Sequence, residues 1–285
     1  MNSFFLNTVK SILYTLLYIW SQFISTYIVM IVGGVSLIFS RPELFASGTV
    51  SSELVSILYD IAFSQSSLIL LIAGAITFLS LIVFFRLRKK RLVSEAWILP
   101  VRITSLFPVV ISGIALAFFV SIAIAYIPWP QKIIDSYKEL YSLSQDNGLL
   151  TIMITLFIAP IIEEIIFRGL VFTRLCRAMP AAAAIILSST IFGAMHGTLI
   201  WAAYGFIGGI AMTLVFMKYR SLIVSMLMHC VFNLFGGYII WRIPVESVLL
   251  DFAIFGAAAA LLAGMGIIMY KMPRERIDVK RKRSE

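Results

Sequence analysis

Long apolar segments separated by short polar ones dominate the pattern of this chain. A helix needs ~20 mostly apolar residues to cross a hydrocarbon core of ~30 Å, and the chain contains about eight segments of that kind. They lie at roughly 12–39, 66–85, 104–127, 149–172, 180–197, 198–217, 221–241 and 247–270. The pattern therefore predicts an all-α, polytopic membrane bundle of about eight transmembrane helices.

Two of the polar connections have a helical pattern of their own. Apolar residues recur at the i, i+3, i+4, i+7 spacing in "SSELVSILYDIAF" (51–63) and in "PQKIIDSYKELYSL" (130–143). Helices of this kind lie on the membrane face or cap the bundle.

Composition excludes a water-soluble protein. The 285 residues are 61% hydrophobic and only 13% charged, with a mean hydropathy of +1.00. We find no Gly/Ser linker or fixed-period repeat, so we expect a single membrane domain over residues 1–285. The first apolar run is too long for a signal peptide and lacks an A-x-A-like site, so we interpret it as a retained span.

The basic residues are distributed asymmetrically. With the N-terminus inside, all of the 23 Lys and Arg residues fall on the inner side except Arg41, Lys132, Lys138 and Arg242. Positive residues accumulate in short cytoplasmic loops, so both termini are predicted to be cytoplasmic. The net charge of +9 reflects this topology, and the basic tail after residue 271 suits anionic lipid headgroups rather than nucleic acid.

Three ionisable residues interrupt the fourth apolar segment, "APIIEEIIFRGLVF" (159–172). A charge at the centre of a membrane helix costs roughly 2.5–3.5 kcal/mol, so the presence of Glu163, Glu164 and Arg168 in this segment needs a structural or functional explanation. Glu164 and Arg168 stand four residues apart, on one helix face, and are predicted to form an ion pair. Glu163 points about 100° away and needs another partner or a cavity, which a kink at Pro160 would open.

Both histidines of the chain also fall in predicted spans. His196 lies near the end of the fifth span, and His229 lies in the seventh, with Asn233 one turn later on the same face. Intramembrane polar groups are usually functional, so we interpret these residues together with Glu163 as one site rather than as packing.

The set has the groups needed for amide hydrolysis without a covalent intermediate. Glu163 with His196 can activate a water molecule. His229 and Asn233 can direct N–H groups at a developing oxyanion. Zinc held by Glu163, His196 and His229 is the alternative, although the H-E-x-x-H pattern is absent. We favour the metal-free version, with no cofactor required.

At these residues the sequence resembles the CPBP family of CAAX proteases and bacteriocin-processing (Abi) membrane proteases, which includes type II prenyl-protein endopeptidases. The family pattern EExxxR, FxxxH, HxxxN is matched in order by Glu163 to Arg168, Phe192 to His196, and His229 to Asn233. The resemblance covers roughly 149–240, the predicted catalytic core. It implies that the first glutamate and the first histidine activate water, that the second histidine and the asparagine stabilise the oxyanion, and that Glu164, Arg168 and Phe192 support them.

One position fits this scheme poorly. Counted from the inner ends of their spans, Glu163 and His229 lie ~12 to 14 Å deep, whereas His196 lies ~22 to 24 Å deep. We expect the "AAAA" start of the fifth span to begin below the hydrocarbon, so that the site opens towards the cytoplasm.

The expected substrate is an amphipathic or membrane-anchored peptide or protein, and the expected location is a bacterial plasma membrane. Two alternatives come from other classes. One is a non-catalytic partner that regulates a sensor kinase or a transporter, which would not need costly buried polar groups. The other is a proton-coupled transporter, for which we find no inverted repeat.

Overall fold

The protein is almost entirely helical. The computed structural model describes residues 3–46, 50–143, 148–240 and 247–272, and no strand occurs among them. In chain order the helices are α1 (Ser3–Ser40), α2 (Ser52–Ser64), α3 (Ser66–Leu87), α4 (Leu92–Glu95), α5 (Ile103–Ala125), α6 (Gln131–Leu143), α7 (Leu149–Ala178), α8 (Ala181–Ala194), α9 (Leu199–Tyr219), α10 (Leu222–Ile239) and α11 (Val248–Lys271). The predicted all-α membrane fold is confirmed.

Seven of the described helices are long and apolar enough to cross a membrane: α1, α3, α5, α7, α9, α10 and α11. Their ends follow the predicted spans closely at most positions. The two differences are α1, which begins at Ser3 instead of residue 12, and α7, which continues to Ala178. Hydropathy identifies only the part of a helix that lies in hydrocarbon. The segments that extend α1 and α7 contain no residue that would end the helix at the membrane surface.

The fifth predicted span is shorter than expected. Helix α8 has 14 residues, or ~21 Å, against the ~30 Å of a hydrocarbon core. It ends because Gly197 adopts a positive φ of 84° and the side chain of Thr198 accepts a hydrogen bond from Trp201 N, which caps α9. His196 therefore lies in a tight turn between two helices, and the prediction that a span continues to residue 197 is wrong.

One end of the bundle collects the loops that carry basic residues. Glu95 in α4 accepts hydrogen bonds from Lys90 and Arg174, each at 2.8 Å. Burial would raise the pKa of Glu95, but these two cations outweigh it and hold the pKa below its ordinary value. Lys218 donates to the carbonyl of Met272 at 2.8 Å. This clustering agrees with the asymmetric distribution of basic residues in the sequence. That this end of the bundle is cytoplasmic stays a prediction. The basic tail after residue 272 lies outside the described residues.

The two predicted surface helices are present as α2 and α6. Tyr137 of α6 packs edge-on against Trp201 at the start of α9, with ring centroids 5.5 Å apart. Burial beside Tyr204 and Tyr141 raises the pKa of Tyr137 to about 12. Helix α6 thus covers the region where the short α8 turns back into α9.

Helix α7 lies at the centre and packs against α1, α3, α8 and α10. Every residue from Ile165 to Phe172 is buried. Helices α8 and α9 approach each other very closely, since a Cβ added to Gly193 would lie 2.5 Å from the carbonyl oxygen of Ala202. The small residue at this position fixes the hairpin that presents His196 to the bundle interior.

Candidate active site

The helix that carries both glutamates is irregular on each side of them. The turns Ile154–Ile158 and Ile165–Phe172 are π-helical, and the α-helical turn Ala159–Glu164 lies between them. Single π-helical turns inside α-helices often occur at functional sites. Each π-helical turn changes the direction in which the following side chains point. The directions of the Glu163 and Glu164 side chains therefore differ from those in a regular α-helix.

Glu164 is the centre of a fully buried polar cluster. Its Oε1 accepts a hydrogen bond from Arg168 Nη1 at 2.7 Å and lies 2.9 Å from His229 Nδ1. Its Oε2 accepts a hydrogen bond from the Ser225 hydroxyl. Glu164 and Arg168 are 0% and 1% exposed. The predicted i, i+4 ion pair is therefore present, and the same carboxylate also holds a candidate catalytic histidine.

Arg168 has two further contacts besides Glu164. Its Nη2 donates to the carbonyl of Gly209 at 3.3 Å, and its guanidinium carbon lies 4.2 Å from the centre of the Phe192 ring. The same ring meets His196 and His229 edge-on, with centroids 4.8 and 5.8 Å apart. Phe192 thus packs against the buried cation and both imidazoles, which gives the predicted supporting residue a physical role.

Glu163 occupies a more open position than its neighbour. Its side chain is 14% exposed, and its Oε1 accepts a hydrogen bond from the Tyr18 hydroxyl at 3.0 Å. Its Oε2 lies 3.8 Å from His229 Nε2, which is too long for a direct hydrogen bond. A gap of this length between two polar groups leaves room for a water molecule or a substrate atom to bridge them.

Asn233 is held by a backbone group that α7 leaves without its usual donor. In the π-helical turn, the Ala159 N–H bonds to Ile154 O, and Pro160 has no N–H to offer to Thr155 O. Asn233 Nδ2 donates to that carbonyl at 3.0 Å. One of its two amide hydrogens is therefore used structurally, and the other is available to a ligand.

His196 contacts Phe192 rather than Glu163. Its Nδ1 lies 2.8 Å from the Phe192 carbonyl oxygen, so Nδ1 carries the hydrogen and the neutral ring has its lone pair on Nε2. No hydrogen bond or ion pair joins His196 to Glu163 in the structure. The two groups predicted to activate water together are thus not in contact: Glu163 contacts Tyr18 and faces His229, and His196 contacts Phe192.

The predicted zinc ligands do not form a metal site in this arrangement. Within the part of the chain that the structure describes, no three His, Cys, Asp or Glu side chains converge closely enough to hold a metal ion. A tetrahedral zinc site needs ligand atoms at ~2.0–2.2 Å around one point. Glu163 and His229 face each other across the gap, whereas His196 is turned towards Phe192.

Four residues that form hydrogen bonds with the predicted site residues were not predicted from the sequence: Tyr18, Thr155, Gly209 and Ser225. Ser225 precedes His229 by one helical turn, as His229 precedes Asn233, so the i, i+4 spacing could have identified it. Thr155 and Gly209 act through backbone carbonyls and leave no signal in their side chains. Tyr18 belongs to α1, far from the motifs along the chain.

A family model described as type II CAAX prenyl endopeptidase Rce1-like matches residues 145–235. The matched segment contains all seven of the predicted site residues, and the match confirms the resemblance to the CAAX protease family; the roles of these residues stay predictions. The family is one of CAAX-type membrane proteases. No curated protein and no solved structure matches the chain.

Proposed function

We propose that the protein is an intramembrane endopeptidase that hydrolyses a peptide bond with a water molecule activated by Glu163, because residues 145–235 match the Rce1-like family model. The observation that carries the proposal is the 3.8 Å gap between Glu163 Oε2 and His229 Nε2, bordered by a carboxylate that is partly exposed and whose other oxygen accepts a hydrogen bond from Tyr18. A scaffold protein has no need of such a gap, because unpaired polar groups in a membrane are costly.

Glu163 is the general base. A carboxylate in a water-restricted site accepts a proton from water as the oxygen attacks the scissile carbonyl, and such positioned proton transfer contributes typically about 10²–10⁴-fold to rate. Glu163 then passes the proton to the leaving amine. The hydrogen bond from Tyr18 occupies Oε1, so Oε2 is the oxygen that meets the water.

His229 and Asn233 stabilise the tetrahedral oxyanion. With Nδ1–H donated to Glu164, His229 Nε2 carries a hydrogen only in the imidazolium form. Donation to the oxyanion therefore requires protonated His229, whereas a neutral ring would instead accept a hydrogen bond from the water. The second amide hydrogen of Asn233 supplies the other donor.

His196 assists with the proton. Its Nδ1–H is fixed on the Phe192 carbonyl, so Nε2 is the acceptor that can take a proton from water or return it. This role needs the turn after α8 to bring Nε2 towards Glu163 when substrate is bound, since catalytic hydrogen bonds often tighten only in the complex.

The substrate we propose is an amphipathic or membrane-anchored peptide or protein that reaches the site from the lipid or from the cytoplasmic face of a bacterial plasma membrane. Lipid is the other partner, and nucleic acid is not one. We propose that hydrolysis requires no metal, because the residues available for zinc are not arranged as ligands.

The test uses full-length protein in detergent, a library of amphipathic peptides, and mass spectrometry to detect cleavage. We expect Glu163→Gln to lower the cleavage rate by about 10²–10⁴-fold and His196→Ala to lower it as well. Glu53→Gln is the control, since this exposed glutamate in α2 pairs with Arg41, which directly follows the C-terminal end of α1. Wild-type rates in both site variants would refute the mechanism, and loss on chelation that zinc restores would show a metal-dependent protease.

A further inference from the structure

The buried face of α1 is polar although the helix as a whole is apolar. Its buried residues follow a regular three- and four-residue spacing: Asn7, Ser11, Tyr14, Tyr18, Ser21, Ser25 and Val29. In a membrane helix, polar side chains turn away from lipid towards the protein interior. The stripe therefore marks the face of α1 that contacts the rest of the bundle, and Tyr18 lies at its middle.

Tyr18 contacts the proposed general base directly. Its side chain is 6% exposed, and its hydroxyl donates to Glu163 Oε1 at 3.0 Å. Its ring is fixed edge-on against Phe167, one turn along α7 from Glu163, with centroids 5.5 Å apart. Tyr18 lies outside residues 145–235, so the segment that matches the protease family does not by itself hold this carboxylate.

A narrow cleft lies on the α1 side of the carboxylate. Tyr18, Gln22, Leu70, Gly74, Ala159 and Ile162 line it, and it has room for about one water molecule. Glu163 does not line this cleft, and its Oε1 accepts its hydrogen bond from the Tyr18 hydroxyl. The two oxygens of Glu163 are thereby distinguished: one is fixed by α1, and the other faces His229.

We propose that Tyr18 is a positioning residue for Glu163, which orients the carboxylate so that Oε2 meets the reacting water. This inference rests on the proposed function of Glu163. It means that α1 completes the active site, and that the proteolytic unit is larger than the motif-bearing helices.

The charged and titratable groups that face Glu163 are few. Tyr18 comes from α1 and His229 from α10, while Arg168 and Glu164 belong to α7 itself. Helix α3 contributes only the apolar Leu70 and Gly74 on this side. Loss of the Tyr18 hydroxyl removes the hydrogen bond that fixes Glu163 Oε1, so the carboxylate is free to turn away from the gap.

The test compares Tyr18→Phe with Tyr14→Phe in the full chain, using a peptide that the wild type cleaves. Removal of a hydrogen bond to a charged group predicts a kcat about 10- to 100-fold lower for Tyr18→Phe, with KM little changed. The pH dependence of cleavage should also differ from that of the wild type in this variant. Tyr14 is buried on the same stripe but stacks on Phe85, so Tyr14→Phe should behave as wild type.

A second variant covers the case in which Tyr18→Phe does not fold. Fluorotyrosine incorporated at position 18 keeps the ring and makes the hydroxyl a stronger donor, so kcat and the pH dependence of cleavage should both differ from those of the wild type. Unchanged kcat and superimposable pH profiles in these variants would overturn the role of Tyr18 while leaving the proposed protease intact. Wild-type activity in Glu163→Gln would instead refute the proposed function, whatever Tyr18 does.

Discussion

Glu163 and Glu164 are neighbours in sequence, yet they lie in two different regions of the molecule. The region around Glu164 is closed: Arg168, His229 and Ser225 surround a carboxylate with no exposed surface. The region around Glu163 is open, with a single hydrogen bond from Tyr18 and a gap towards His229. The two side chains point about 100° apart around the helix axis, and this is enough to give Glu164 a full set of polar partners and to leave Glu163 with one.

The difference shows how a membrane protein keeps one carboxylate reactive. A buried charge is tolerated when it is paired and hydrogen-bonded, and Glu164 meets that condition with three partners. The Glu164 carboxylate also holds the ring of His229, which borders the gap beside Glu163. His229 links the two, with Nδ1 in the closed cluster and Nε2 at the gap.

The largest expected effect comes from breaking the closed region. In Glu164→Gln the buried guanidinium of Arg168 loses its counter-charge, which typically costs about 3–5 kcal/mol of unfolding free energy. Glu163→Gln should change that free energy by about 1 kcal/mol or less, because it replaces a partly exposed group that makes one hydrogen bond. Unfolding in detergent, followed by circular dichroism, measures both. Equal losses in the two variants would contradict the distinction between the regions.

A double variant separates stability from activity within the closed region. Replacing both partners, as in Glu164→Met with Arg168→Leu, removes both buried charges and should recover most of the stability lost in Glu164→Gln. Cleavage should stay low, since His229 Nδ1 still lacks the carboxylate that orients it. Recovered cleavage would mean that Glu164 acts only through Arg168.

A smaller effect is expected from Ser225→Ala. The serine hydroxyl donates to Glu164 Oε2, and a hydrogen bond to a charged group is worth about 1.5–3 kcal/mol. The unfolding free energy should fall by that amount. Ser188→Ala on α8 is a matched control, because its hydroxyl is buried and bonds only to a carbonyl in its own helix. A loss no greater than in this control would show that the closed region does not depend on Ser225.

The smallest expected effect lies far from both glutamates, at Glu95. Because Lys90 and Arg174 hold the pKa of Glu95 below its ordinary value, ionised Glu95 stabilises the folded protein above a pH of about 4.5. That contribution, about 1 kcal/mol or less, is lost as the pH falls through the lowered pKa of the folded protein. Glu95→Gln should flatten this part of the stability–pH curve. An unchanged curve would mean that the ion pairs contribute nothing measurable.

Much of the fold follows from the sequence because hydrophobic length and charge asymmetry are local properties. The seven long helices and the two surface helices were predicted from such patterns. The short α8 was not, since its sequence remains apolar past Ala194. What ends the helix is a conformation, the positive φ of Gly197, that a hydropathy pattern does not register.

The contacts of the candidate site also fall into two groups, those that a local sequence pattern predicts and those that depend on how the helices pack. The Glu164–Arg168 pair follows from i, i+4 spacing within one helix and is confirmed. The contacts of His229 with Glu164 and of Asn233 with Thr155 depend on how α10 packs on α7, which no spacing within a helix reveals. Tyr18 could have been predicted from the polar stripe of α1. Polar side chains of a membrane helix face the protein interior, and this rule holds for α1 although it carries no motif. The catalytic roles themselves stay predictions.

The unequal lengths of α1 and α8 affect the lipid as well as the protein. Helix α1 spans ~57 Å along its axis and α8 only ~21 Å, and both expose apolar side chains such as Phe23 and Ile186. A bilayer of uniform thickness cannot match both, so we expect α1 to tilt or to extend into water and the lipid to thin beside α8. We therefore expect the acyl-chain length of the surrounding lipid to affect the hairpin that carries His196.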